Sequence, residues 1–284
     1  MASGIRLNPQ KIFNMKKRIL FFAKRKILSG IYQLGKIIGV NKNTVSILCY
    51  HGVSENSDKH SLRKEVFENH IKKISNHSSF ISMEEALGIL NGIKVKGHAV
   101  VMSFDDGFAN LMNIAPLVLK YRIKPTVFVL SDPKRADRAE LCNPEKFLTI
   151  EEIKILHNAG WTIGCHSATH ANFSNLNQEE IKRQVTDSKF SLEIKLGFKI
   201  DYFAYPKGIF DENIINIVKK SGYVSAFSTL PGGILERSNR WILPRTVIDN
   251  SHHIDEFPAV YSPTSFFIRK ITNRFKIWDR FFNI

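Results

Sequence analysis

Residues 99–107 read Ala-Val-Val-Met-Ser-Phe-Asp-Asp-Gly. The run 99–104 is short and almost wholly apolar, the pattern of a strand buried on both faces. It enters a turn at Asp105-Asp106-Gly107, where the glycine permits a tight change of direction. Helical spacing follows over 111–121, then a second apolar run at 126–130. Strand, acidic turn, helix, strand is a parallel βα unit. The pattern repeats outward. Upstream, 45–50 reads as a buried strand, with helices over about 65–76 and 83–90. Downstream, Thr149 and Glu152 form a capping-box pattern that opens a helix stopping near Gly160. Then come a strand at 161–165, a long helix over 178–196 ended by Gly197, and strands at 202–205, 224–227 and 241–248. About seven such strands predict an α/β fold, a distorted (β/α)7-type barrel of parallel strands. Chemistry in such barrels sits where strands end.

Length and composition agree. A chain of 284 residues, 43% apolar and 24% charged, can build a full hydrophobic core as one large domain or two small ones. It is not a disordered chain, a collagen or a disulfide-rich mini-protein, and no internal repeat suggests a solenoid. The three cysteines, Cys49, Cys142 and Cys165, read as reduced thiols.

The net charge of +15 is unevenly placed. Residues 1–44 hold ten Lys/Arg and no acid; residues 264–284 hold five and one. The span 45–263 carries 26 basic and 25 acidic residues and is nearly neutral, which argues against a nucleic-acid enzyme. At the N-terminal end the longest apolar run is Ile19-Leu20-Phe21-Phe22-Ala23, too short for a signal peptide or a spanning helix. Ile27, Ile31, Leu34 and Ile38 recur at helical spacing. At the other end Phe267, Ile271, Phe275, Trp278 and Phe282 form a stripe on a helix that also carries Arg269, Lys270, Arg274, Lys276 and Arg280. A basic helix with an apolar stripe can lie on an anionic membrane surface; it can equally dock on the body or on a partner. The expected organisation is a basic amphipathic segment at 1–44, a catalytic domain at 45–263 and a basic amphipathic helix at 264–284. With no leader or span in view, the expected location is the cytoplasm, with peripheral contact at the inner membrane face.

Four polar clusters end predicted strands. In Ser103-Phe104-Asp105-Asp106-Gly107 two adjacent carboxylates point different ways, so one can bind a metal while the other faces substrate. In His166-Ser167-Ala168-Thr169-His170 the +4 spacing places both imidazoles on one face of a helical turn. Two histidines and one aspartate make a three-ligand metal site with an open position, suited to hydrolysis. Tyr50-His51-Gly52-Val53 puts a histidine at the barrel mouth, as a proton donor or as a turn residue. Phe203-Ala204-Tyr205-Pro206-Lys207-Gly208 can present the Tyr205 amide N–H to an oxyanion, or be a plain strand-ending turn.

Together these residues resemble the polysaccharide deacetylase family (NodB-homology domains, carbohydrate esterase family 4). Ser-Phe-Asp-Asp-Gly matches its first motif and His-Ser-Ala-Thr-His its second. Phe-Ala-Tyr-Pro-Lys-Gly and Tyr-His-Gly-Val are similar to segments of its biofilm-polysaccharide branch. The resemblance covers about 45–250. It implies that Asp106, His166 and His170 hold a divalent metal and that Asp105 is the general base. Tyr205 and Pro206 would line the substrate site. The family's terminal Leu-x-His motif has no match after residue 230; Asp249-Asn250-Ser251-His252-His253 does not fit it. In the branch resembled, the N-terminal histidine takes that place, which gives His51 the role of catalytic acid. Trp241-Ile242-Leu243-Pro244-Arg245 is the best match to the arginine-bearing motif, so Arg245 would hold the catalytic carboxylate or lie at the surface. The implied reaction removes an N-acetyl group from an acetamido sugar of a cell-surface polysaccharide or lipid-linked glycan, releasing acetate. Zinc suits the ligands, and iron, cobalt or nickel would also fit. The competing readings are a deacylase of a non-sugar amide and an inactive glycan-binding domain.

Overall fold

The computed structural model describes residues 44–55, 61–141 and 145–266, with scattered helical positions between 23 and 35. The expected C-terminal helix, from Phe267 onward, lies outside the described residues, as does most of the N-terminal segment.

The strands in chain order are β1 (Thr44–Tyr50), β2 (Gly52–Ser54), β3 (Ser61–Arg63), β4 (Ser79–Phe80), β5 (His98–Phe104), β6 (Thr126–Val129), β7 (Thr162–Cys165), β8 (Tyr202–Ala204), β9 (Ser225–Phe227), β10 (Gly233–Ile234) and β11 (Thr246–Val247). β1, β5, β6, β7, β8 and β9 pair in that order, all in parallel. On the far side of β1, β11 pairs with it in parallel through Leu48↔Thr246 and Cys49↔Val247. A parallel bridge between Phe227 and Leu243 ties the same segment to β9. Residues 243–247 therefore span the gap between first and last strands of a distorted seven-stranded α/β barrel. The short β10 adds an antiparallel edge to β1.

Strand alternation sorts the core into two layers. Val45 and Ile47 of β1, Ala99 and Val101 of β5, Phe128, Ala204, Phe227 and Leu243 form one cluster, which the helix Met83–Leu87 closes. The alternate residues Leu48, Tyr50, Val100, Met102, Phe104, Val127 and Val129 belong to the other cluster. They pack under helices Lys64–Ser75, Ile150–Asn158, Ser188–Leu196 and Glu212–Lys220. The first cluster is the barrel interior. Cys49, Ser103 and Asp105 share its parity, so sequence period alone turns them inward.

Most expected elements form within a residue or two. The Thr149 capping box is complete: the Thr149 N–H donates to Glu152 at 2.8 Å and the Glu152 N–H to the Thr149 hydroxyl at 3.2 Å. The strand expected at 241–248 narrows to Thr246–Val247, because Pro244 has no amide to donate to a ladder. The helix expected at 111–121 divides into a 3-10 turn, Ala109–Asn113, and an α-helix, Ala115–Lys120. The helix over 178–196 contains a π-helical turn, Arg183–Asp187.

Near the N-terminus, Tyr32 is buried, at 8% exposure, and its ring lies edge-on to His77. Gly35 meets the body so closely that a Cβ there would stand 1.7 Å from the Thr264 hydroxyl oxygen. Ile27 and Leu34, two members of the expected stripe, are instead 53% and 55% exposed. Among the described residues no helix is long and apolar enough to cross a membrane.

Candidate active site

The site forms where β1, β5, β7 and β8 end. β5 runs into Asp105, Asp106 and Gly107, and its last turn is tight. Asp106 and Gly107 both have φ of 69°, in the left-handed region. A Cβ on Gly107 would meet Val129 Cγ1 at 2.8 Å, so only glycine fits. The turn splits the two carboxylates as the sequence predicts.

Asp106 faces the histidines. Its Oδ1 lies 3.6 Å from Nε2 of His166 and 3.6 Å from Nε2 of His170. These contacts are too long for hydrogen bonds. They are not ion pairs either, because burial lowers the proton affinity of both rings, that of His170 to a pKa of about 3. The same burial, with the neighbouring Asp105 charge, raises the Asp106 carboxyl well above the usual carboxylate range. Asp106 Oδ1 and His170 Nδ1 are buried with no hydrogen-bond partner.

Three donors with lone pairs toward one point are what a small cation requires. Bond lengths of about 2.0–2.1 Å around a tetrahedral ion put ligand atoms about 3.4 Å apart, near the observed spacing. His166 is oriented as a ligand would be. Its Nδ1 donates to the Ala204 carbonyl at 2.8 Å, which turns the Nε2 lone pair toward Asp106. The residues present therefore fit a divalent metal.

The two histidines do not share a helical turn, contrary to expectation. Residues 166–170 form a loop in which Ser167 and His170 have φ of 69° and 60°. Gln184 holds it: its Oε1 accepts the amides of Ala168 at 3.2 Å and Thr169 at 3.1 Å. Gln184 lies in the π-helical turn. Sequence reasoning missed it, and the one signal was a polar residue on the buried side of a long amphipathic helix.

Asp105 is held from the barrel side, with its Oδ2 3.8 Å from Nε2 of His166. Arg245 clamps it with a bidentate pair, Nη1 to Oδ1 at 2.6 Å and Nη2 to Oδ2 at 2.8 Å. Arg245 is fully buried, and its Nε donates to the Ser228 carbonyl at 3.1 Å. Burial alone would raise the Asp105 carboxyl, but the guanidinium outweighs it and holds Asp105 well below the usual carboxylate range. Of the two expectations for Arg245 the carboxylate clamp is the one observed; it neither lies at the surface nor lines the substrate site, because its donors are committed inside the barrel, where it positions Asp105. Cys49 adds a third contact, its Sγ 3.2 Å from Asp105 Oδ2. His51, half-buried past the end of β1, has a ring nitrogen within 4.8 Å of the Asp105 carboxylate and the Cys49 sulfur.

The Tyr205 amide is not available to an oxyanion. It donates to the Phe227 carbonyl at 3.0 Å, as part of the β8–β9 ladder, and the Tyr205 hydroxyl donates to the Trp241 carbonyl at 2.8 Å. Pro206 is buried and starts a 3-10 turn. The residue this loop brings to the site is Lys207, at φ of 57°, whose charge helps lower the proton affinity of His170. Four of the five described non-glycine residues with positive φ (Asp106, Ser167, His170 and Lys207) belong to these loops. Backbone strain of that kind concentrates at functional sites.

A polar cleft of about 890 Å³ is lined by Val53, Ser54 and Glu55, which follow His51 in the chain, and by Ala109, Asn110 and Asn113, which follow Asp106.

Comparison with known proteins follows the same residues. The polysaccharide deacetylase family profile matches 92–226, which contains both aspartates and both histidines. YxkH of Bacillus subtilis is 25% identical over 202 residues, covering 70% of this chain and 69% of its own. The poly-beta-1,6-N-acetyl-D-glucosamine N-deacetylase of Staphylococcus aureus is 22% identical over 216 residues, covering 72% of this chain and 73% of its own. The structure of IcaB from Ammonifex degensii shares the fold, with a TM-score of 0.68 over 78% of this chain and 97% of that one at 19% identity. The likeness in sequence runs through the strand ends that carry the paired carboxylates and the histidines: residues 92–226 of the chain carry the polysaccharide deacetylase profile.

Proposed function

We propose that the chain is a metal-dependent N-deacetylase acting on an acetamido sugar of a cell-surface polysaccharide or a lipid-linked glycan. The observation that carries this reading is the convergence of Asp106, His166 and His170, with the buried, unpartnered Asp106 Oδ1 3.6 Å from each histidine Nε2, beside an ionised Asp105. Zinc suits two imidazoles and a carboxylate; iron, cobalt and nickel fit the same donors. A divalent ion there would supply Lewis acidity, polarising the acetamide carbonyl and lowering the pKa of water.

The chain's own groups do the rest. Arg245 keeps Asp105 charged and fixed in direction, so Asp105 accepts the proton of the attacking water. His51, at the barrel mouth, gives a proton to the leaving nitrogen as the amide C–N bond breaks. Acetate and the free amino sugar are the products. The Lys207 charge reaches His170 electrostatically, and would favour the negative charge that develops on the carbonyl oxygen. The polar cleft lined by residues that follow His51 and Asp106 in the chain, with Ser, Asn and Glu side chains at its walls, suits a neighbouring sugar. The relative named above acts on poly-beta-1,6-N-acetyl-D-glucosamine, which supports an acetamido sugar over a non-sugar amide.

The location belongs to the same proposal. Tyr32 and Gly35 face the body while Ile27 and Leu34 face outward, so docking leaves those two stripe residues uncovered. Together with the positive ends this supports peripheral contact with an anionic membrane.

The test is metal content and acetate release in the purified full chain and in Asp106→Ala and His166→Ala. About one divalent ion per chain, lost in both variants together with acetate release from acetylated amino-sugar oligomers, is expected. No metal after reconstitution with zinc, cobalt or nickel overturns the hydrolase reading and favours a glycan-binding domain.

A further inference from the structure

We propose that Cys49, His51 and Asp105 form a second metal site, distinct in all its residues from the Asp106, His166 and His170 site. It takes a thiophilic divalent ion such as zinc or cadmium, and its occupation stops the reaction.

The placement follows from the fold. Cys49 pairs with Ser103 in the β1–β5 register, so residues 51 and 105 come level at the strand ends. All three have barrel-facing parity. Cys49 Sγ stands 3.2 Å from Asp105 Oδ2, and a His51 ring nitrogen lies within 4.8 Å of both. A metal–sulfur distance of about 2.3 Å and a metal–oxygen distance of about 2.0–2.1 Å place sulfur and oxygen about 3.5 Å apart in a tetrahedral site. The observed sulfur–oxygen spacing needs only a few tenths of an ångström of relaxation. One thiolate, one imidazole and one carboxylate form a donor set that borderline-soft ions prefer to magnesium or calcium. Cys49 and Asp105 are buried and His51 is half-buried at the mouth, so an ion enters past the histidine.

Binding is a proton exchange without redox change. The sulfur–metal bond forms as the S–H bond breaks, and the proton leaves to solvent. The Arg245 guanidinium already balances Asp105, so the new thiolate is the charge that offsets the ion. This makes the second site weaker than the first. An ion there takes the lone pairs with which Asp105 and His51 would move protons. That consequence rests on the roles proposed above; the binding itself does not.

The experiment titrates cobalt(II) into the metal-free full chain and follows both stoichiometry and the near-ultraviolet thiolate-to-cobalt charge-transfer band. The expected result is two equivalents, with the band rising only on the second. Cys49→Ser keeps the first equivalent and loses the band. His51→Gln, which retains the sulfur, keeps the first equivalent and binds the second at least tenfold more weakly. Zinc beyond one equivalent lowers acetate release at least tenfold in the wild-type chain. A single equivalent without a band overturns the second site and leaves the deacetylase reading intact. A band that persists in Cys49→Ser also overturns it. A band that survives in Asp106→Ala while no acetate is released by any loaded form supports the second site and counts against the deacetylase reading.

Discussion

Asp105 and Arg245 are 140 positions apart in the chain and meet in the barrel with both guanidinium arms engaged. Removing one partner of such a buried pair leaves an uncompensated charge, which costs about 3–5 kcal/mol. Arg245→Ala is expected to lose that much stability, read from urea unfolding, together with acetate release. Arg245→Lys keeps the charge without the fork, so it should recover most of the stability while kcat stays depressed. Full activity in Arg245→Lys would show that the fixed direction of Asp105 is unimportant. His70 tests burial of a different kind. It is fully buried, stacked on Phe257 at 3.8 Å between ring centroids, and burial lowers its pKa to about 3. Folding therefore holds it neutral while the unfolded chain takes up a proton near pH 6.5. The stability it contributes is complete above that pH. As pH falls toward 3 that contribution is lost at about 1.4 kcal/mol per pH unit. His70→Gln should flatten this acid limb of the unfolding midpoint against pH; an unchanged slope would place the titration elsewhere. At this scale the acids and histidines of the site were legible, because each ends an apolar run. The Arg245 clamp was one of the two readings its segment offered, and only the fold chose between them; the committed Tyr205 amide was not legible, since it depends on the neighbouring strand.

Elements place these residues, and the informative one is the interrupted helix under the histidine loop. Periodicity marks 178–196 as one helix, and the chain forms Gln178–Lys182 and Ser188–Leu196 around a π-helical turn. The turn inserts an extra residue per cycle, which the 3.6 repeat cannot register. It brings Gln184 under the amides of Ala168 and Thr169. The loop that carries His166 and His170 thus takes its shape from a helix rather than from its own spacing. Gln184→Leu is expected to weaken metal binding about 10–100-fold, the range for partners that orient ligands without touching the ion. Thr149→Ala supplies the contrast. It removes a complete capping box that bonds none of the ligands and should cost about 1 kcal/mol with metal affinity unchanged. If both variants lose metal equally, general destabilisation explains the effect and the orienting role of Gln184 fails. Strand and helix positions were legible because burial on two faces and on one face leave different periods. The π turn and the short strands β2, β3, β4 and β10 leave almost none, since two or three residues fit any pattern.

At the scale of the molecule the charges separate from the chemistry. The span 45–263 is nearly neutral, whereas 1–44 and 264–284 together carry a net fourteen positive charges. On the proposed reading, a barrel enzyme with one divalent ion at its site gains nothing in catalysis from charge at its ends. An anionic surface does respond to it, at about 1 kcal/mol for each Lys or Arg held near the headgroups. The outward turn of Ile27 and Leu34 adds apolar contact in the same place. The full chain is therefore expected to sediment with vesicles containing an anionic lipid and to ignore vesicles of neutral lipid. Binding should weaken steeply with salt, because the screening length shrinks to about 8 Å at physiological ionic strength. Ile27→Asp with Leu34→Asp removes the outward apolar pair without touching the body, and should leave only the salt-sensitive part. Binding that is equal on neutral and anionic vesicles, or absent at low salt, would assign these ends to a protein partner instead. A membrane-bound enzyme would meet its glycan at the lipid surface, so activity on a lipid-linked acetamido sugar should rise on anionic vesicles while activity on a soluble oligomer stays constant.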